Sequence, residues 1–226
     1  MRPLISVIIP TLNEAENIQQ LLIHLHSMDE NLELIVSDCG SLDGTCEIAK
    51  PYAKIVQSDR GRGVQMNAGA RAASGDILWF IHADCVPHPD SAKTIHETLK
   101  NSKIAGGAFE YNLNSPAFFF RLAEFFSNRK NQIFKLLYGD MGIFIRHEVF
   151  TRMNGFREIP LMEDVDFCKR MKREGKIVIL PLRINTSTRR WHEEGWMKNW
   201  FRNYLLQIGF LLGVPPDRLA RWYPFH

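Results

Sequence analysis

Apolar and polar positions in the first third of the chain follow a rhythm whose period switches repeatedly. Leu4–Ile9 is a short apolar run, β-branched at its centre and bounded by Pro3 and Pro10, which predicts a buried strand. Over residues 15–27, Ile18, Leu21, Leu22 and Leu25 recur at helical spacing. Leu32–Ser37 predicts a second strand, 43–50 a short helix, Lys54–Gln57 a third strand, the alanine-rich Gly63–Ala73 a helix, and the wholly apolar Ile77–Ile81 a fourth strand. Strand and helix in alternation point to an α/β fold with a mostly parallel sheet flanked by helices. The second half is less regular. Ile104–Tyr111, containing Gly106 and Gly107, and Met141–Ile145 read as strands, and Glu163–Glu174 as a helix.

In parallel sheets, ligands bind outside the carboxyl ends of the strands, so the residues following each strand carry the functional information. Here they are Pro10, Thr11, Asn13 and Glu14; then Asp38, Cys39, Gly40, Ser41 and Asp43; then Asp59 through Gly63; then His82, Ala83 and Asp84. Polar, acidic and glycine residues thus gather on one edge.

Composition narrows the picture. At 226 residues and 45% apolar content, the chain suits one large domain with a substantial core. A net charge of +3, with signs mixed along the chain, lacks the clustered basic face of a nucleic-acid binder. Cysteines 39, 46, 85 and 168 form no Cys-x-x-Cys pair and read as reduced thiols in a cytoplasmic setting. The opening apolar run is too short for a signal peptide, and no uncharged apolar stretch reaches membrane-spanning length. Pro116–Tyr138 and Trp196–Val214 are aromatic or apolar but interrupted by charge. Both fit amphipathic helices that pack on the domain or a second copy of the chain, or that lie on a membrane surface.

Several residues could carry chemistry. A carboxylate such as Asp84, at the end of a buried strand, needs a cation or hydrogen bonds, and Mg2+ and Mn2+ take one or two carboxylates together with phosphate oxygens. Its structural alternative is to cap the helix expected to begin near Pro89 or Asp90. Asp38 could accept the imide N–H of a base or open a turn, and Asp43 fits a helix N-cap. Arg60 or Arg62, in a glycine-flanked turn before a helix, could face a diphosphate. Asn67 could hold the Asp38 loop or touch a donor. Either Glu163 or Asp164 could serve as a general base, or both could simply favour the start of a helix.

Taken in order, these pieces resemble family 2 of the nucleotide-sugar glycosyltransferases, whose fold is called GT-A. Ser6–Glu14 resembles the family's opening strand and Pro-x-x-Asn-Glu motif, and Asp38–Thr45 its Asp-Asp-x-Ser-x-Asp-Gly-Thr motif. Arg60–Gly69 resembles its Asn-x-Gly segment, followed by Ala73–Asp76. His82-Ala83-Asp84 lies where the Asp-x-Asp metal motif belongs, and Asn154-Gly155-Phe156 then Glu163-Asp164 resembles the module near the acceptor. The resemblance implies an inverting, non-processive transferase moving one sugar from a nucleotide-diphosphate sugar. The nucleotide-binding half would cover about 1–110 and the acceptor half about 111–195, followed by a C-terminal amphipathic helix at about 196–214. Pro10, Thr11, Glu14, Asp38, Arg60, Asn67, Ala83 and Asp84 would line the donor site. Asp84 would bind Mn2+ or Mg2+, and Asp164 would be the base. The acceptor is open, a lipid-like one included.

Two departures stand out: Cys39 replaces the second acid of one motif and His82 the first acid of the metal motif. Histidine suits Mn2+ better than Mg2+. The substitutions leave a non-catalytic nucleotide-sugar-binding protein as an alternative. A sugar-phosphate nucleotidyltransferase would carry a glycine-rich basic loop after the first strand, where this chain has Thr11-Leu12-Asn13-Glu14. Tyr138-Gly139-Asp140, Met162-Glu163-Asp164 and Thr186–Trp191 are similar to the radical-SAM/selenodomain-associated transferase subgroup. Ser187–Trp191 also resembles the Gln-x-x-Arg-Trp motif of processive synthases, with serine in the glutamine position, so Arg189, Arg190 and His192 could approach the diphosphate or metal.

Overall fold

The computed structural model describes residues 3–28, 31–113, 118–186 and 196–223. The first half of the chain folds as β1 (Ile5–Thr11), α1 (Ala15–His26), β2 (Leu32–Asp38), α2 (Thr45–Ala49), β3 (Lys54–Gln57), α3 (Arg62–Ala72) and β4 (Ile77–Phe80). The second half adds β5 (Cys85–Val86), α4 (Ser91–Leu99), β6 (Ile104–Leu113), α5 (Phe118–Phe134), a 3-10 turn at Gly139–Met141, β7 (Phe144–Arg146), α6 (His147–Arg152), α7 (Glu163–Glu174) and β8 (Lys176–Thr186). Then come α8 (Trp196–Leu211) and α9 (Pro216–Ala220).

One eight-stranded sheet runs in the order β3-β2-β1-β4-β7-β6-β8-β5. The pairs β1–β2, β1–β4, β2–β3 and β6–β8 are parallel, while β7 runs antiparallel to β4 and β6, and β5 antiparallel to β8. From β1 the chain steps outward to β2 and β3, then returns to place β4 on β1's other side. That reversal opens a crevice at the carboxyl ends of β1 and β4, where an α/β sheet binds its ligands.

Both faces of the sheet are buried, which is why its strands read as continuous apolar runs. Ile5, Val7 and Ile9 of β1 pack with Ile18, Leu21, Leu22 and Leu25 of α1 and with Ile95 of α4. Ile8 points the other way, toward Met66 and Ala70 of α3, Phe150 of α6 and Phe167 of α7. Each fully buried aliphatic side chain of this kind contributes about 1.5–3 kcal/mol.

Two departures from the sequence pattern have clear causes. The strand expected at Met141–Ile145 begins only at Phe144, because Gly139–Met141 coil into a 3-10 turn and Gly142 takes a left-handed φ of 61°. The strand Lys176–Thr186 is masked in the sequence by Pro181. Proline cannot donate to a strand ladder, and here it falls where the register slips from Leu180↔Phe109 to Arg183↔Glu110.

Helix α5 is inverted. It buries Glu124, Asn128 and Asn131 and exposes Phe118, Phe125, Phe126, Ile133 and Phe134. Because β7 is only three residues long, β6 runs on past it with open backbone groups. Asn128 closes them by donating to Tyr111 O at 2.9 Å and accepting from Tyr111 N at 3.3 Å. Gln132 donates to Ile179 O of β8 at 3.1 Å, and Glu124 pairs with Arg121 and Arg183 at 3.3 and 3.2 Å. Helix α5 therefore packs on the domain through its polar side. Helix α8 packs Leu206 against Leu161 and Leu219. Among the described residues, no helix is long and apolar enough to cross a membrane.

Candidate active site

The loops at the ends of β1 and β2 are tied together by a buried carboxylate. Asp38, 1% exposed, accepts hydrogen bonds from the Gly40 and Ser41 amides (both 2.9 Å), the Ser41 hydroxyl (2.5 Å) and the Thr11 hydroxyl (2.9 Å). A carboxylate offers about four acceptor positions, so Asp38 is saturated by its own loop. Burial opposes its charge, but donation from Ser41, Gly40 and Thr11 outweighs burial and holds the carboxyl below the ordinary aspartate range. The geometry is that of the turn-opening role. The neighbouring Cys39 thiol is pushed up by burial and by Asp38, with Arg60 opposing, which places the exposed Arg60 side chain at the rim of this loop.

Asp43 accepts from Thr45 N at 3.0 Å and from Ala15 N at 2.9 Å, so it ties together the starts of α1 and α2, although the N-cap residue of α2 is Gly44 and not Asp43 as expected. Glu14 takes the Asn17 amide at 2.7 Å, and its own N–H donates to the Thr45 hydroxyl at 2.8 Å. Pro10 lies beside Thr11 in β1.

Asn67 does not reach the Asp38 loop. Gln65 does so instead, donating to Thr11 O at 2.8 Å and Ser37 O at 3.1 Å. Asn67 turns to the opposite side of α3, donating to Phe156 O and accepting from Phe156 N, both at 2.9 Å. A helix directs successive side chains about 100° apart, so residues 65 and 67 face different neighbours. Gly155, with φ of 64°, lets this turn close: a Cβ there would lie 2.5 Å from Asn67 Oδ1.

A second group of carboxylates lies across the crevice, between the end of β4 and the start of α7. His82, Asp84 and Cys85 bring their ligand atoms within 4.8 Å of one another. The Cys85 thiol, raised well above its ordinary range by burial and by Asp84, stays protonated and donates to Asp84 Oδ1 at 3.6 Å. Ala83 is buried between them in the core. Asp84 does not cap α4, whose N-cap residue is Asp90. Gly139 links this strand end to α7: a Cβ on it would sit 2.8 Å from the His82 ring and 3.9 Å from Asp164 Oδ2.

Asp164 accepts from Gly139 N at 3.0 Å and from Val165 N at 2.7 Å. Burial nevertheless pushes its carboxyl up, with Gly139 and Arg62 opposing. Its neighbour Glu163 is pushed up to about 7 by burial and by Asp164, and lies 3.9 Å from Arg62. The Arg62 side chain is 40% exposed, so this pair is partly screened. Burial works against the Arg62 charge, yet Glu163, Tyr223 and Asp164 hold the guanidinium above its usual range. Met162, immediately before this pair, has a left-handed φ of 69°, a conformation that costs a non-glycine residue about 1–2 kcal/mol.

Asp140 belongs to this pocket although no sequence argument had singled out its side chain. Burial, Asp164 and Asp84 raise it to about 7. Its Oδ1 is buried with no hydrogen-bond partner among the described residues. An unpartnered buried carboxylate oxygen beside two other acids fits the ligand chemistry of a divalent cation. A nitrogen from His82 with carboxylates from Asp84 and Asp140 is a ligand chemistry that suits Mn2+ better than Mg2+. The available signal was the acid in Tyr138-Gly139-Asp140, whose proximity to Asp84 depends on the fold. Arg189, Arg190 and His192 lie outside the described residues.

Known proteins share the sequence pattern and the fold of this chain. The profile of Glycosyl transferase family 2 matches residues 6–159. Glycosyltransferase AglE of Haloferax volcanii is 35% identical over 122 residues, covering 48% of this chain and 40% of that protein. The chain spans only 29–40% of the length of the curated relatives compared. The mannosyltransferase PcManGT from Pyrobaculum calidifontis, solved with GDP-Man and Mn2+, superposes with a TM-score of 0.66 at 20% identity, covering 81% of this chain and 57% of that one. Glucosyl-3-phosphoglycerate synthase from Mycobacterium tuberculosis, solved with Mn2+, UDP and glucosyl-3-phosphoglycerate, gives a TM-score of 0.66 at 23% identity, covering 94% and 81%. At these identities the likeness establishes the fold, which is GT-A.

Proposed function

The chain belongs to glycosyl transferase family 2, and from that premise we propose that it moves one sugar from a nucleoside-diphosphate sugar to an acceptor hydroxyl, with inversion at the anomeric carbon. The observation that carries this reading is Asp164: a half-buried carboxylate that accepts from two backbone amides and lies beside Asp140, which in turn lies beside Asp84. A base must be held rigidly yet stay basic enough to take a proton, and burial raises Asp164 in that direction. Asp164 would accept the acceptor's hydroxyl proton as that oxygen bonds to the anomeric carbon and the bond to the leaving diphosphate breaks. The Arg62 guanidinium opposes that rise.

Asp84, His82 and Asp140 would hold a divalent cation, which when bound would offset negative charge building on the leaving diphosphate. Asp38 would act by shaping the loop that receives the nucleoside, with Thr11 and Ser41 locked to it. Asn67 would set the Gly155–Phe156 turn on the acceptor side, and Arg60 would meet the donor from the rim. Tyr138-Gly139-Asp140 and Met162-Glu163-Asp164 support the radical-SAM/selenodomain-associated subgroup as the nearer kinship. Four free cysteines fit a reducing, cytoplasmic setting. An apolar, lipid-like acceptor fits the exposed apolar residues of α8, which packs against Leu161 beside α7.

A thermal-shift screen of UDP-, GDP-, dTDP- and CDP-sugars with Mn2+ or Mg2+ tests the proposal. One nucleotide should raise the melting temperature, and more so with Mn2+; a hundredfold excess over Kd adds about 2.7 kcal/mol. In Asp84→Asn the cation-dependent part should vanish. Absence of any donor-dependent shift, or a product of retained anomeric configuration by NMR, would sink it.

A further inference from the structure

Sixteen large hydrophobic side chains are exposed among the described residues, and fourteen of them lie on α5, on α8 with the turn after it, and at Trp222. That concentration marks one built surface, since scattered exposed apolar residues need no explanation while a contiguous patch does. The two helices meet. Lys130 of α5 sits 5.5 Å above the Tyr138 ring and 5.9 Å above Tyr204 of α8, and Gln207 of α8 donates to the Tyr138 hydroxyl.

The inversion of α5 gives the patch its meaning. Its buried side is held by Glu124, Asn128 and Gln132, so its outer phenylalanines are not spare core residues turned out by accident. They are the apolar half of a helix whose polar half already has partners.

Charge identifies what the patch faces. Residues 116–138 and 196–223 together carry eight Lys or Arg against two acidic residues, Glu124 and Asp217, whereas the rest of the chain carries 20 basic against 23 acidic. The entire positive excess of the chain therefore belongs to these two segments. Exposed apolar side chains on segments with an excess of Lys and Arg are the pattern of a helix lying in the headgroup region of a bilayer. A second copy of the chain fits less well. A two-fold interface sets the same patch against itself, and would bring Arg129, Arg218 and Arg221 of both copies toward one another.

We propose that α5 and α8 form a docking surface for an anionic lipid bilayer, with Phe125, Phe126 and Phe134 entering the acyl boundary and Arg129 and Arg221 meeting lipid phosphates. Since α8 also packs on Leu161 and Met162, next to Glu163 and Asp164, docking would bring the acid pocket close to the membrane surface. Binding of this kind is separate from sugar-transfer chemistry and would persist in Asp164→Asn.

The test is flotation of the full chain with vesicles of phosphatidylcholine alone and of phosphatidylcholine mixed with phosphatidylglycerol, at low and high salt. The protein should float with the anionic vesicles and be released by salt. Phe125→Ser with Phe134→Ser should abolish flotation, and Arg129→Gln with Arg221→Gln should reduce it about tenfold or more. All four side chains are exposed, and an unchanged circular dichroism spectrum and melting temperature would exclude misfolding. Failure to float with anionic vesicles, or equal flotation with neutral ones, would overturn the proposal. So would light scattering that shows a dimer split by the paired serine substitutions.

Discussion

Asp38 and Glu163 are both almost fully buried, at 1% and 5% exposure, yet their surroundings drive them in opposite directions. At the ends of β1 and β2, every acceptor position of Asp38 is filled by a nearby amide or hydroxyl, and the carboxyl is pulled below its ordinary range. Asp43, which accepts amides at the starts of α1 and α2, is pulled down as well. Between β4 and α7, burial pushes Asp140, Glu163 and Asp164 up, and neighbouring acids add to the rise at Asp140 and Glu163. Burial is common to the two regions, so what separates them is hydrogen-bond supply. A carboxylate given its full set of donors is a structural tie. One left short of donors, beside other acids, retains the capacity to take up a cation or a proton.

The sharpest way to break this contrast is to neutralise one carboxylate from each side. Asp164→Asn should lower kcat for sugar transfer by about 10²–10⁴-fold while leaving the melting temperature nearly unchanged. Asp38→Asn should do the reverse, lowering stability and donor affinity while sparing kcat at saturation. Steady-state kinetics alongside thermal melts would decide, and a collapse of kcat in a fully stable Asp38→Asn would erase the distinction.

A smaller effect is expected from Arg62→Met. The arginine charge favours ionised Asp164, so its removal should leave Asp164 protonated to a higher pH. The acid limb of the kcat profile should then move to higher pH. At neutral pH the loss should be under about tenfold, because Arg62 is partly solvent-screened. A limb that stays in place, or moves down, would remove Asp164 from the role of titrating base.

Smallest for activity is Asn67→Ala. It removes two buried hydrogen bonds to Phe156 and should cost about 1–3 kcal/mol, read as a lower denaturation midpoint, with kcat little changed. A drop in kcat without loss of stability would assign Asn67 a direct part in donor or acceptor binding.

The order of strands and helices through Phe80 was legible because it depends on local period: apolar runs for strands buried on both faces, and Ile18, Leu21, Leu22 and Leu25 at helical spacing for α1. Short-range chemistry was equally visible. Asp43 accepts the Thr45 amide two residues on, the local turn chemistry of Asp followed by Gly. Where local rules conflict, legibility failed. Pro181 argues against a strand, and only the slip in the β6–β8 register accommodates it.

By itself the sequence determined the α/β alternation, the edge on which polar residues gather, and Asp84, Glu163 and Asp164 as candidate acids, since each follows from a few neighbouring residues. Only the tertiary structure decided what each of them meets. It gave Asp164 two backbone amides and Glu163 an arginine, turned Asn67 toward a residue 89 positions away, and inverted α5. It also brought Asp140 among the other acids with one oxygen unpartnered. The physical reason is that burial and electrostatic fields are set by whatever packs nearby in space, and residues distant in the chain supply most of those neighbours here.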